Sequence, residues 1–124
     1  MSAWGHDWLT PDWPAPARVR ACVTTRSGGV SQSPFDSLNL GEHVEDDPIA
    51  VAENRRRLVA RLGCRPAWLR QVHGTAVAAA APDAVVEADA SWSASPGVAC
   101  AVMTADCLPA LFCDHAGSRV AAAH

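Results

Sequence analysis

The amino-acid sequence predicts an α+β fold, and three observations carry that prediction. Several short apolar runs have the length and the flanking turn residues of buried strands. Only one segment has the spacing of an amphipathic helix. The strand-like runs are not separated by regular helices, which argues against a doubly wound parallel sheet. With 124 residues, 49% of them apolar, the chain suits one compact domain with its own core.

The first third of the chain predicts little regular structure. Residues 1–17 are expected to form an irregular arm, because this stretch is rich in tryptophan and proline. Aliphatic residues then alternate with arginines and a cysteine, which predicts a strand over residues 18–25. A turn follows at Gly28-Gly29, where a glycine pair allows a ligand to approach backbone N–H groups closely.

One helix is predicted together with both of its ends. Asp47 is suited to cap the first turn, and Pro48 is suited to the first helical position. Val51, Leu58 and Leu62 fall on one face at helical spacing. Gly63 follows as the glycine that ends the helix.

The remaining apolar runs predict strands. They are short, contain Val, Leu and Ala, and are bounded in several places by Pro or Gly. The five candidates are residues 68–72, 77–80, 98–103, 108–112 and 120–123.

Composition excludes several classes of protein. Ten Lys and Arg against 13 Asp and Glu give a net charge of −3, so nucleic acid is not an expected partner. No apolar stretch is long enough to span a membrane, and the N-terminus does not have the pattern of a signal peptide. The five cysteines are odd in number and form no Cys-x-x-Cys pair, which argues against a disulfide framework. A reducing cytoplasm is therefore the expected compartment.

Three side chains stand where a metal site is expected. Cys107 lies on a tight connection between the strand candidates 98–103 and 108–112. His73 and His124 each follow another strand-like run. One thiolate and two imidazoles are a set of protein ligands found in catalytic zinc sites. We therefore predict that His73, Cys107 and His124 bind zinc.

The motifs of the chain resemble those of the YfiH/YlmD-like family, whose members are also called laccase-domain or polyphenol oxidoreductase proteins and purine nucleoside phosphorylases. The similarity runs along nearly the whole chain in the family's order. Its stretches are Thr24-Thr25-Arg26-Ser27-Gly28-Gly29-Val30-Ser31, Ser37-Leu38-Asn39-Leu40-Gly41, His43-Val44, Asp46-Asp47-Pro48, Asn54-Arg55, Gln71-Val72-His73-Gly74, Thr104-Ala105-Asp106-Cys107-Leu108-Pro109 and His124.

The resemblance implies a fold, a site and an activity. The fold would be a mixed-sheet sandwich flanked by helices, and His73, Cys107 and His124 would be the zinc ligands. The substrates would be phosphate and the purine nucleosides adenosine, inosine, guanosine and methylthioadenosine, with deamination of adenosine as a second activity. Zinc in such a site keeps a fourth position for water or substrate, which suits deamination.

Family chains continue beyond the position of His124. We therefore expect residues 1–124 to be the N-terminal part of a single domain and to be inactive alone. We also expect a second chain to complete them, or homo-oligomers to form, because an unpaired strand edge invites pairing with another chain.

Three residues are candidates for substrate binding, each with an alternative role. Arg26, beside Gly28-Gly29, either holds phosphate or is an ordinary surface residue of a turn. Asn39 either contacts the purine or shapes its own turn, and His43 either contacts substrate or pins its loop. Asp106 either orients a ligating histidine or accepts backbone N–H bonds.

Other functions remain open at the level of sequence. Copper binds to similar ligands, and Met103 is a nearby axial candidate, but a multicopper oxidase needs a further histidine cluster. The five histidines form no His-x-His pair, so copper and polyphenol oxidation are less favoured than zinc. A metal-free hydrolase would use Cys107 as nucleophile and a histidine as base. A non-catalytic, zinc-stabilised module is the third alternative.

Overall fold

The computed structural model describes residues 7–124 of the chain. The first six residues of the predicted arm, with Trp4, lie outside the described residues. The described chain forms two compact units. The first contains residues 7–12 and 21–63, and the second contains residues 13–20 and 64–124.

The first unit contains the helix α1, Pro48–Leu62, and both predicted ends are confirmed. The Asp47 carboxylate accepts the Ile49 N–H at 3.0 Å. Gly63 adopts φ 68° and its N–H donates to the carbonyl of Val59, as in a glycine-terminated helix. On the predicted apolar stripe, Val51 and Leu58 are buried and Leu62 is half-buried, so this stripe is the face that packs.

The loops of the first unit are held by one buried side chain, Asn54 of α1, which is 0% exposed. Its oxygen accepts the Val30 N–H at 2.8 Å. Its amide donates to the Ser31 hydroxyl at 2.9 Å and to the Asn39 carbonyl at 2.8 Å. A buried amide with these partners avoids the cost of unsatisfied polar atoms and fixes two loops against the helix.

The predicted strand over residues 18–25 is wrong. Only Val23 forms a ladder contact, a single antiparallel bridge to Leu9 in which each N–H donates to the other carbonyl at 2.9 Å. The segment changes environment along its length. Residues 18–20 belong to the second unit, where Arg18 donates to the carbonyl of Ala116, whereas residues 21–25 belong to the first. The alternation therefore does not reflect the two faces of one sheet.

The second unit contains eight strands in three sheets. A two-stranded sheet pairs β1 with β6, another pairs β2 with β4, and a four-stranded sheet has the order β3-β5-β8-β7. The β1–β6, β2–β4 and β3–β5 pairs are parallel, and the β5–β8 and β7–β8 pairs are antiparallel. The bounds are β1 Arg65–Ala67, β2 Leu69–Arg70, β3 Val77–Ala79, β4 Val86–Glu87, β5 Ala90–Ser93, β6 Val98–Cys100, β7 Ala110–Cys113 and β8 Val120–Ala123.

These elements confirm the α+β class with mixed sheets. Each of the five strand candidates of this unit overlaps a strand, mostly shorter than predicted, while β1, β4 and β5 were not predicted. In β5 the usual pattern is inverted, because Ser91 and Ser93 are buried and Trp92 is 42% exposed. Strand β5 therefore lacks the apolar residues on its buried face by which a half-buried strand is predicted. Among the described residues, no helix has the length and apolar character needed to cross a bilayer.

One face of the four-stranded sheet consists entirely of apolar residues, and we call it the apolar face. Val77, Trp92 and Phe112 on it are 66%, 42% and 53% exposed. The opposite face carries Ser91 and Ala122, which are buried. The strand registers place the members of the apolar face in two rows, Val77-Ala90-Ala123-Ala110 and Ala79-Trp92-Ala121-Phe112.

The turn between β7 and β8 depends on a carboxylate, which gives a prediction about pH. The pKa of Asp114 is lowered to about 2, first by the Ser118 hydroxyl and then by backbone N–H groups. The backbone N–H groups of Ser118 and Arg119 donate to Asp114 Oδ1 at 2.7 Å and 3.2 Å. A lowered folded-state pKa adds stability above the unfolded-state value near ~4, and that stability is lost as pH falls towards 2.

We therefore expect Asp114→Asn to reduce the free energy of unfolding by a constant amount above about pH 5. The difference from the original protein should shrink between about pH 4 and pH 2. Urea unfolding followed by circular dichroism at several pH values measures both. A difference that stays constant down to pH 2 would contradict the role given to the Asp114 charge.

Candidate metal centre

The buried carboxylate of Asp89, 4% exposed, is the centre of the candidate site. It lies directly before β5 and accepts three successive backbone N–H groups. Val72 and Gly74 donate to Oδ1 at 2.9 Å and 3.0 Å, and His73 donates to Oδ2 at 3.0 Å. A concave run of N–H groups of this kind is an anion-binding nest. His73 adopts φ 58° in it, an uncommon conformation for a residue other than glycine.

The same carboxylate fixes the imidazole of His124. Asp89 Oδ2 lies 3.1 Å from His124 Nδ1, and the His124 backbone N–H donates to the Asp89 carbonyl at 2.8 Å. The backbone N–H groups of Val72 and Gly74 are the main reason that the pKa of Asp89 is lowered to about 2. Asp89 is therefore ionised at neutral pH and can only accept, so His124 Nδ1 carries the proton. A proton on Nδ1 leaves Nε2 as the ring nitrogen that could bind a metal ion.

The structure brings His73 and His124 together. Their ring centroids are 4.8 Å apart and the ring planes are inclined by 51°. His73 is exposed, whereas the side chain of His124 is only 10% exposed. One accessible and one nearly buried imidazole thus lie side by side, the latter oriented by a carboxylate in the way that metal-ligating histidines usually are.

Cys107 lies on the irregular connection between β6 and β7 and is exposed, with a free thiol. Gln71 holds the earlier part of this connection, because its amide nitrogen donates to the Met103 carbonyl at 2.8 Å and its oxygen accepts the Met103 N–H at 2.7 Å. Within residues 7–124, no three His, Cys, Asp or Glu side chains are close enough together to hold a metal ion. The two histidines are thus paired, and the ligation by Cys107 stays a prediction.

The substrate-binding candidates all lie on the first unit. The Arg26 side chain is 74% exposed, and its Nε donates to the Asp36 carbonyl at 2.9 Å. The Asn39 side chain is engaged within its own loop, where its oxygen accepts the Gly41 N–H and its nitrogen donates to Asp46, each at 3.1 Å. His43 is exposed. The contact of each with substrate stays a prediction.

Asp89 and Gln71 are residues of this site for which the sequence predicts no role. Asp106 is the carboxylate that one prediction places beside a ligating histidine, whereas Asp89 is the one that contacts His124. The signal for Asp89 was an acidic residue between Ala88 and Ala90, in a stretch where a buried charge needs partners.

Comparison with known proteins finds relatives that match nearly the whole chain. A family model described as multi-copper polyphenol oxidoreductase laccase matches residues 20–124. The purine nucleoside phosphorylase PA4543 of Pseudomonas aeruginosa is 79% identical over 117 residues, covering 94% of this chain and 48% of the relative. The purine nucleoside phosphorylase YfiH of Escherichia coli is 57% identical, covering 94% of this chain and 49% of the relative. The chain spans about half the length of these curated relatives.

Solved structures share the fold. The Neisseria meningitidis protein NMB0706 aligns with a TM-score of 0.92 and 55% identity, covering 96% of this chain and 50% of that one. YlmD from Geobacillus stearothermophilus aligns with a TM-score of 0.87 and 34% identity, covering 96% and 49%. The match to YfiH-like structures confirms the expected fold class.

Proposed function

We propose that this chain, which belongs to the multi-copper polyphenol oxidoreductase laccase family, functions in zinc-dependent phosphorolysis of purine nucleosides. The proposed substrates are phosphate and adenosine, inosine, guanosine or methylthioadenosine, and deamination of adenosine is a second proposed activity. The names of the relatives support the reaction class. All five cysteines are in the reduced form, which supports a reducing, cytoplasmic setting.

The observation that carries the proposal is the contact of Asp89 with His124, beside His73. A buried, ionised carboxylate that fixes one ring nitrogen leaves the other available, which is the usual arrangement around a metal-ligating histidine. Two imidazoles and a thiolate suit zinc, which accepts nitrogen and sulfur ligands and keeps a fourth position open. His73, Cys107 and His124 would hold the ion.

A zinc ion held by these residues would supply Lewis-acid chemistry to a bound group. The residues of the chain supply orientation. Asp89 holds the proton on His124 Nδ1, and Gln71 holds the backbone of Met103 on the connection to Cys107. Because His73 and Cys107 are exposed, a substrate can reach both side chains.

The deciding experiment uses the completed protein, that is, residues 1–124 together with polypeptide equivalent to the other half of the relatives. It incubates that protein with adenosine, with and without phosphate, and separates the products by chromatography. We expect adenine and ribose 1-phosphate only when phosphate is present, and inosine in both reactions. Absence of phosphate-dependent adenine release from metal-loaded protein would refute the phosphorylase. Metal analysis of active protein tests the alternatives, since an active apo-protein would favour the hydrolase and a copper-dependent oxidation of polyphenols would favour the laccase.

Arg26 is proposed to bind phosphate. Its guanidinium is largely exposed and is fixed by Asp36, so it can offer further donors to an anion. Arg26→Ala should raise the KM for phosphate about tenfold or more, as expected for loss of a charged hydrogen bond, and should leave deamination unchanged. The control is Arg56→Ala, which removes an exposed arginine paired with Glu53. Equal loss of both activities in Arg26→Ala would contradict phosphate binding.

Asn39 and His43 are proposed to contact the nucleoside. Asn39 uses its side chain within the loop, so a contact with the purine would have to employ a remaining lone pair or proton of its amide. His43 is exposed and has no such constraint.

We further propose that the apolar face of the sheet is covered by polypeptide equivalent to the half of the relatives that this chain does not span. Contiguous apolar surface of this kind usually marks an interface. Residues 1–124 purified alone should self-associate in light scattering and should not cleave nucleosides. Phe112→Ser should reduce the self-association. A monomer with full activity would refute the proposal.

A further inference from the structure

We propose that Asp89 and Gln71 are positioning residues that set the geometry of the zinc ligands before the metal binds. Asp89 would fix both histidines, and Gln71 would fix the connection that carries Cys107. The inference rests on the proposed function in one respect, because the positioned side chains are the proposed ligands.

Asp89 connects the two histidines through one atom. Oδ2 is the partner of the His73 backbone N–H at 3.0 Å and of His124 Nδ1 at 3.1 Å. The backbone of Asp89 is fixed as well, since its N–H donates to the Ala76 carbonyl at 3.2 Å and its carbonyl accepts the His124 N–H. A displacement of this carboxylate therefore moves the segment of His73 and the ring of His124 together.

A carboxylate that only stabilised the turn around His73 would need the three backbone N–H bonds and nothing more. The contact with His124 is additional, and it comes from the end of a different strand, β8. It selects one tautomer of the ring, which is a property of a ligand rather than of a turn. Loss of such an outer partner typically lowers metal affinity about 10- to 100-fold.

Gln71 does for the Cys107 connection what a strand partner would do. Residues 101–109 contain no helix or strand, yet the N–H and C=O of Met103 are both bonded to the Gln71 side chain. Gln71 lies two residues before His73. The segment from Gln71 to Gly74 therefore contains both the side chain that holds the connection to Cys107 and the backbone N–H groups that bind Asp89.

The first test needs no variant. Nitrogen-15 NMR of the metal-free protein at neutral pH reports which ring nitrogen of each histidine carries the proton. We expect His124 to be protonated on Nδ1. A predominant Nε2–H tautomer at His124 would overturn the role of Asp89.

The second test measures zinc affinity by competition with a chromophoric chelator. Asp89→Asn keeps the size of the side chain but removes the charge and introduces an N–H donor. We expect its zinc affinity to fall about 10- to 100-fold and the His124 tautomer preference to be lost. The control is Asp114→Asn, which removes the carboxylate of the β7–β8 turn. This variant should bind zinc as tightly as the original protein does. Unchanged affinity and tautomer in folded Asp89→Asn would refute the inference.

Gln71 is tested by two graded variants. Gln71→Glu keeps an acceptor for the Met103 N–H but cannot donate to the Met103 carbonyl, and Gln71→Met loses both bonds at similar volume. Hydrogen exchange at Met103 should be slowest in the original protein, intermediate in Gln71→Glu and fastest in Gln71→Met, with zinc affinity decreasing in that order. Equal affinity in all three would refute the role of Gln71. None of these readouts uses nucleosides, so a failed phosphorolysis assay leaves them decisive.

Discussion

Cys107→Ser should abolish phosphorolysis and deamination while the protein stays folded. The variant loses the thiolate, and a serine hydroxyl is not a comparable zinc ligand. Loss of a direct ligand should cost more than the roughly 100-fold that loss of an outer partner costs, so we expect kcat/KM to fall by more than ~100-fold. Because Cys107 is exposed, the free energy of unfolding should change by less than about 0.5 kcal/mol.

The matched control is Cys113→Ser, which replaces a half-buried cysteine of β7 six residues further along. It should keep the activity and the zinc content of the original protein. Steady-state kinetics of the completed protein with adenosine and phosphate, together with urea unfolding and metal analysis, give the three quantities for both variants. Full activity in Cys107→Ser would refute this metal centre, and equal losses in both variants would indicate a general effect of removing cysteines.

The helix was predictable because its signals are local. Asp47, Pro48 and Gly63 act on backbone groups within a few residues of themselves, so their identities determine where α1 begins and ends. The buried side of α1 can also be predicted from the spacing of its own apolar residues. Nothing in this element depends on which distant segment packs against it.

The strands were less predictable because their faces depend on distant partners. Serines occupy the buried side of β5, and Trp92 occupies the exposed side, which makes sense only once β3, β8 and the apolar face are known. Residues 18–25 have a strand-like alternation but pass from one unit to the other. Periodicity reports burial, and it cannot report to which partner the burial belongs.

The candidate site likewise contains residues that the sequence predicts and residues that it does not. The candidate metal ligands could be proposed from the sequence, because His73 and His124 follow strand-like runs and Cys107 lies between two of them. Their supports were given no role, since Asp89 and Gln71 act through backbone groups 15 to 32 residues away in sequence. Such pairings are set by topology, and a single sequence does not encode them in a local pattern.

Gly29→Ala is expected to be the most destabilising single substitution that we consider. A Cβ at this position would lie 2.1 Å from the Ser37 carbonyl oxygen and 2.6 Å from Asn54 Oδ1. Neither can yield cheaply, because the Ser37 carbonyl accepts the Ser31 N–H and Asn54 is fully buried with its bonds made. The overlap and the lost hydrogen bonds together should cost at least about 3 kcal/mol.

Gly63→Ala separates this overlap from the other consequences of replacing a glycine. Gly63 has φ 68°, and an added Cβ there would meet no heavy atom within 4 Å. Its cost should be only the left-handed backbone strain, about 1 kcal/mol. Both variants restrict the unfolded chain similarly, so that contribution cancels between them. If urea unfolding showed Gly29→Ala to be no worse than Gly63→Ala, the close packing of the loops around Asn54 would be refuted.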